Sequence, residues 1–227
     1  MAENLKFAVI GGGSWATAIA KMLCVNLDEI AWYMRNEDAI EHVKIHHHNP
    51  NYLSSVEFDI KKLILTSDIN EAVAYADYII FAIPSAFLNG ETSLIVGEHF
   101  NKIYNIPFEN IGVITGPCHA EEVALERLSY LTIACGDANK AKIVAENLSG
   151  NYIKTKISDD IIGTEYAATL KNIYAIGAGI AHGLGYGDNF QSVLMSNGIR
   201  EMKKFIKKVH KMKRNINDSA YLGDLLV

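Results

Sequence analysis

Two groupings of side chains in this sequence could do chemistry. The first is Lys171 followed by Asn172, set inside TEYAATLKNIYAIGAGIAHGLGYGDN (164–189), where most other residues are small and apolar. From Tyr166 to Leu184 the run has the length of a helix, provided that close packing offsets the helix cost of Gly177 and Gly179, and such a helix is expected to be buried. An ammonium carried into a core is costly unless something there needs it. Two readings of Lys171 therefore stand on these residues. Either it sits at the end of an amphipathic face and snorkels to solvent, or it is desolvated, with a lowered pKa that suits proton transfer. The second grouping is Gly11-Gly12-Gly13-Ser14-Trp15-Ala16, a G-x-G-x-x-A run between an apolar strand (Lys6 to Ile10) and a helical stretch from Thr17 to Leu23. Here Gly11 serves the tight turn, Gly13 lets the backbone approach a pyrophosphate, and Ala16 lets helix and strand pack closely. The helix N-terminus adds free N–H groups and a positive dipole end for phosphates, so dinucleotide binding is expected.

Other residues carry weaker signals. Arg35 ends the expected strand Glu29 to Met34, near where an NAD-selective protein places a carboxylate on the ribose. It could meet a 2′-phosphate, stack on adenine, or lie in solvent, so NADP is tolerated beside NAD. Phe87 could pack on a nicotinamide or close the core. Gly116-Pro117-Cys118 follows a strand, and its amides form a turn that could receive ligand oxygens. Cys118 at a helix start could be a lowered-pKa thiol, but a small space-filling residue is the favoured reading. His46-His47-His48 precedes Asn49-Pro50-Asn51 and reads as a loop, with no ligand spacing for a metal.

The elements that must position these residues follow from periodicity. Strands are expected at Lys6 to Ile10, Glu29 to Met34, Leu63 to Leu65, Asp77 to Ile83, Ile111 to Thr115, Leu131 to Cys135 and Asn151 to Thr155, with helices between them, including Asp68 to Tyr75 and Ala138 to Leu148. That alternation predicts an α/β protein with a Rossmann-like, doubly wound parallel sheet, whose ligands bind at the carboxyl ends of strands, beside Pro84 to Phe87. After Asn89 the crossover to the next strand is short, which suggests a missing segment. Ser158-Asp159-Asp160 marks the change to an all-α second part. Residues 1–160 are thus expected to form a dinucleotide-binding domain, and residues 161–227 a helical substrate domain.

A net charge of −5 opposes nucleic acid as the main partner. Cys24, Cys118 and Cys135 give neither a disulfide framework nor a zinc pattern, and a reducing cytoplasm fits best. The start MAENLKFAVIGGG does not read as a leader peptide, and no run reaches the length of a membrane span. Seven Lys or Arg lie among residues 203–214, interleaved with Phe205, Ile206, Val209 and Met212. A solvated face is favoured there over contact with an anionic membrane.

GGGSWATAIA, GPCHAEEVA, EYAATLKNIYAIGAGIAHGLGYGDN and AYLGDLLV, in that order along nearly the whole chain, resemble the bacterial-type NAD(P)-dependent glycerol-3-phosphate dehydrogenases. The resemblance implies a cytoplasmic enzyme that interconverts sn-glycerol 3-phosphate and dihydroxyacetone phosphate with NAD or NADP, for phospholipid synthesis, with a homodimer as one expected assembly. It implies that Lys171 is the proton acceptor and a substrate ligand, that Gly116, Cys118 and Asp224 are substrate contacts, and that Ser14, Trp15, Arg35, Phe87 and Ala120 line the cofactor beside Gly11 and Gly13. Asp224 would orient Lys171 or a substrate hydroxyl. The substrate is then expected in the cleft between the two parts. The sequence departs from the family at three places. Cys118 replaces a Ser, the family's Lys-Gly motif is absent between Phe87 and Leu94, and the Arg-Asn segment that grips the substrate phosphate would lie past Val227. Those departures favour one alternative, a non-catalytic nicotinamide-binding protein derived from a dehydrogenase, and a dehydrogenase of another small hydroxy acid with the same two-domain plan is a related one.

Overall fold

The computed structural model describes residues 5–85, 92 and 94–226. Phe87 and the Asn89–Gly90 junction lie outside the described residues. The chain divides into two compact units that interleave in sequence. Unit 1 comprises 1–90, 119–129 and 147–154; unit 2 comprises 91–118, 130–146 and 155–227.

Unit 1 is built on four parallel strands, β1 (Phe7–Ile10), β2 (Ile30–Tyr33), β3 (Leu63–Thr66) and β4 (Tyr78–Phe81), in the order β3-β2-β1-β4. In register, Ile10 lies opposite both Tyr33 and Phe81, so the residues that follow β1, β2 and β4 emerge on one carboxyl edge. Every residue of β1 is buried, as befits a central strand covered on both faces. Helix α1 (Ser14–Asn26) buries Ala16 to Ala20 together with Met22 and Leu23. Small residues along one side let it approach the sheet. Helix α2 (Glu37–His46) starts where the Asn36 side chain accepts hydrogen bonds from the Asp38 and Ala39 amides, and ends at His47 in the left-handed region, φ 63°. His46 is thus the last helical residue rather than part of the loop expected from sequence. Helix α3 (Ile69–Tyr75) is capped by Asp68.

Helix α4 (Val96–Tyr104) and strand β5 (Gly112–Thr115) belong to unit 2. A second sheet has the order β5-β6-β7, with β6 at Ser129–Cys135 and β7 at Ile153–Ser158. Its β5 and β6 run antiparallel, Gly112 opposite Cys135, where strand–helix alternation had suggested a continuing parallel sheet. Helix α5 (Ala120–Ala124) joins unit 1, and α6 (Ala138–Leu148) follows β6. Unit 2 ends with two long helices, α7 (Ile161–Gly183) and α8 (Asp188–Val209), and a one-turn π-helix at Ser219–Gly223. Ala167, Met202, Ile206, Ala220, Tyr221 and Leu225 form a core there, with Leu170, Tyr174 and Met195 packed against it.

Helix α7 corrects one expectation. It is not buried all round, since Ile173, Ile176, Ile180 and Leu184 are each at least 60% exposed. The face bearing Ala167, Leu170, Tyr174 and Ala181 is covered, because a helix packed on one side buries only the residues at its own period. The small apolar residues that dominate the run do not by themselves say which face that is.

Candidate functional site

The glycine turn of unit 1 is fixed by sterics and by side-chain hydrogen bonds from Trp32, Asn49 and Thr17. Gly11 has φ +139°, and a Cβ there would stand 2.5 Å from the Ala82 carbonyl oxygen, so only glycine fits where β1 and the end of β4 meet. Gly13 caps α1 in extended conformation, and among the described residues nothing beyond its two chain neighbours lies within 4 Å of where its Cβ would point. The Trp32 indole donates to the Gly11 carbonyl at 2.8 Å. Buried Asn49 donates to the Gly12 carbonyl at 3.1 Å and to Thr17 Oγ1 at 2.9 Å, and its own Oδ1 accepts from the Asn51 amide. No acidic residue occupies the first turn of α1, where Ser14 and Trp15 sit. A bare helix end without a carboxylate suits an anion, so the open backbone at Gly13 and the α1 N-terminus fit a pyrophosphate. Arg35, exposed after β2, lies on the same carboxyl edge. Ala120 opens α5, which packs along α1 and is tied to it where Lys21 Nζ donates to the Ala124 carbonyl and pairs with Glu126.

Neither Trp32 nor Asn49 stands out in the sequence as a support of this turn. Asn49-Pro50 reads only as loop, and burial of the amide is visible only in three dimensions.

Unit 2 brings the remaining residues together. Lys171 Nζ lies 2.6 Å from Asp224 Oδ1, with the lysine side chain 34% exposed and the aspartate 5%. Lys171 is therefore neither submerged in a core nor free in solvent. It is two-thirds covered and held by a buried carboxylate, so the sequence picture of a fully desolvated amine is corrected. The Lys–Asp contact is one of the two roles expected of Asp224. Gly116 has φ +125°, and a Cβ on it would meet the Tyr130 carbonyl at 2.6 Å. Pro117 packs beside Gly223, the residue before Asp224, where an added Cβ would touch the proline ring at 3.6 Å. The Gly116-Pro117 turn thus abuts the turn that presents Asp224. Cys118 is partly buried and does not begin a helix: α5 starts two residues later with His119 as its cap. Pro117 lies in a bend rather than in the first helical turn expected from the sequence.

Six residues before Lys171 on α7, Glu165 Oε2 accepts from the Gly97 amide at 2.9 Å, in the first turn of α4. Burial pushes its pKa up from 4.5 to about 7, against the pull of the Gly97 and Val96 amides and with some help from Glu98. Among the described residues no group of three or more His, Cys, Asp or Glu could hold a metal ion, and no helix is long and apolar enough to cross a membrane.

A parallel sheet with a glycine turn at its carboxyl edge, joined in one chain to a helical unit that carries a paired lysine, defines a Rossmann-type dinucleotide-binding protein. Comparison with known proteins narrows the class. Residues 6–99 match the family described as NAD-dependent glycerol-3-phosphate dehydrogenase N-terminus, and residues 160–227 match the corresponding C-terminus. A glycerol-3-phosphate dehydrogenase [NAD(P)+] of Limosilactobacillus fermentum is 33% identical over 227 positions, which cover 88% of this chain and 67% of that protein. One from Macrococcus caseolyticus is 31% identical over 248 positions, covering 98% and 74%. The crystal structure of the Coxiella burnetii glycerol-3-phosphate dehydrogenase has the same fold, with a TM-score of 0.86 at 24% identity over 98% of this chain and 74% of that one. The chain belongs to the NAD(P)-dependent glycerol-3-phosphate dehydrogenase family. The Macrococcus alignment spans more positions than this chain's 227 residues supply, so that relative carries residues with no counterpart inside this chain.

Proposed function

We propose that this chain interconverts sn-glycerol 3-phosphate and dihydroxyacetone phosphate by hydride transfer with NAD or NADP. The observation that carries the reading is the 2.6 Å Lys171–Asp224 pair, made by the two residues for which the family resemblance implies a catalytic and a substrate-binding role. The relatives' names favour this reading over a non-catalytic nicotinamide-binding protein.

The nicotinamide, when bound, supplies or accepts the hydride at its C4. Lys171, while protonated, donates to the C2 oxygen of the ketone, and its positive charge stabilises the oxyanion that develops there; in the reverse direction the neutral amine takes the C2 hydroxyl proton. An ammonium has three N–H donors, so Asp224 can hold one and leave the others for substrate. Gly116 and Cys118 contact the substrate from the neighbouring turn, the thiol being a weaker donor than a serine hydroxyl. Gly11, Gly13, Ser14, Trp15, Arg35, Phe87 and Ala120 hold the dinucleotide. We place the activity in the cytoplasm, in keeping with cysteines that form no disulfide among the described residues, where its product would supply phospholipid synthesis, and a homodimer is the assembly to test by light scattering.

The test is NADH oxidation with dihydroxyacetone phosphate. Lys171→Ala is expected to lower kcat about 100-fold or more while the NADH Kd stays at the wild-type value. Loss of NADH binding together with turnover would make the role of Lys171 structural.

A further inference from the structure

Asp160 is a buried carboxylate that the proposed chemistry does not use. It caps α7, accepting the Gly163 amide at 3.0 Å, and its backbone carbonyl receives the Thr164 hydroxyl at 2.8 Å. An added Cβ on Gly163 would lie 2.0 Å from Asp160 Oδ2, so the carboxylate occupies the space a side chain would take. Arg214 grips it with both ends of its guanidinium fork, Nε to Oδ2 at 2.6 Å and Nη2 to Oδ1 at 3.0 Å, with side chains only 7% and 3% exposed. The Tyr221 hydroxyl donates to Oδ2 as well, and His210 Nδ1 lies 3.5 Å from Oδ1. Burial works against ionisation of this group, but Arg214, Tyr221 and the Gly163 amide together hold its pKa below the ordinary value.

The cluster matters because of what else α7 and the terminal turn carry. Tyr221 stands three residues before Asp224 in the Ser219–Gly223 turn, and Lys171 stands eleven residues after Asp160 on α7. The turn is therefore fastened to one helix at two places, by Tyr221 to its N-cap and by Asp224 to its third turn. Ala220, Tyr221 and Leu225 are all buried in the core of unit 2, so the hydroxyl bond of Tyr221 adds an orienting tie to a packed turn, three residues before Asp224.

We infer that the Asp160–Arg214–Tyr221 cluster positions Asp224 against Lys171, with Tyr221 as the residue that transmits it. The inference rests on the reading that Lys171 handles the C2 proton, so the experiment carries one arm that needs no turnover. Tyr221→Phe keeps the ring and removes only the hydroxyl. In the full chain it is expected to lower kcat about tenfold with the NADH Kd unchanged, a change in the same direction as that of Asp224→Asn. In the second arm lysines are labelled by reductive 13C-methylation, and the Lys171 resonance is assigned by its loss in Lys171→Arg. Tyr221→Phe should move that resonance toward its position in Asp224→Asn. A variant that melts lower but keeps the wild-type Lys171 resonance and the wild-type kcat would overturn the inference, leaving the cluster a structural clamp only. If the wild-type chain fails to turn over, the functional reading fails while the resonance still decides the positioning role. If Tyr221→Phe does not fold, Arg214→Lys, which cannot span both carboxylate oxygens in the same way, takes its place with the same two outcomes.

Discussion

Replacing Glu165 with glutamine should stabilise unit 2 above neutral pH, although carboxylates at helix N-termini ordinarily help. The Glu165 carboxylate meets the start of α4 in a largely buried place, and burial outweighs the two amides it faces, so its pKa rises from 4.5 to about 7. Between those values the folded protein keeps a proton that the unfolded chain has released. Stability is then fully present below about pH 4.5 and is lost as pH climbs through about 7. A rise of that size corresponds to about 3 kcal/mol at 1.36 kcal/mol per unit. Glutamine keeps an oxygen for the Gly97 amide but has no charge to desolvate. Glu165→Gln should therefore match the wild type at pH 4.5 and exceed it by up to about 3 kcal/mol at pH 8. Urea titrations followed by far-UV circular dichroism at the two pH values measure the difference. A glutamine variant that is less stable at pH 8, or whose offset from wild type is the same at both pH values, would refute the reasoning, because either result means that the amides of α4 outweigh burial.

Two further outcomes concern the glycine turn. Gly11→Ala forces a Cβ against the Ala82 carbonyl at a φ that L-residues rarely adopt, and should destabilise unit 1 by about 2–4 kcal/mol, read from the tryptophan fluorescence melt; a melt at the wild-type temperature would show that the turn relaxes. Asn49→Ala removes the donor to the Gly12 carbonyl and Thr17, and is expected to weaken NADH binding about tenfold by isothermal calorimetry, with a stability loss of about 1–3 kcal/mol; unchanged affinity would mean that the turn holds its shape without Asn49.

The fold, the glycine turn of unit 1 and the Lys171–Asp224 pair of unit 2 differ in how far they could be read from the residues alone. Strand β1, the glycine turn and α1 were legible because everything they need lies within some twenty residues: an apolar run, a glycine at positive φ, small residues at helical spacing. Helix α6 falls on the expected residues, Ala138–Leu148, for the same reason. Strand β7 lies two to three residues beyond its expected start and end, because a strand's ends are set by its partner rather than by its own residues. The antiparallel pairing of β5 with β6 has no local signature either, because a short apolar strand of four residues does not encode the direction of its partner. Family likeness alone pointed to Asp224, whereas the residues themselves singled out Lys171 and the Gly116 turn but left Lys171 between a solvent-facing and a buried reading.

By itself, then, the sequence determined those parts whose cause is local, the backbone freedom of glycine at a turn and the period of apolar residues along a helix or strand, and through them a dinucleotide-binding half. Tertiary structure alone decided which distant residues meet: Asn49 with the Gly12 carbonyl, Lys171 with Asp224, Asp160 with Arg214 and Tyr221, and which face of α7 is covered. The physical reason is that a hydrogen bond or ion pair between residues more than thirty-five positions apart depends on how whole elements pack, and no local preference of either partner encodes the other's place.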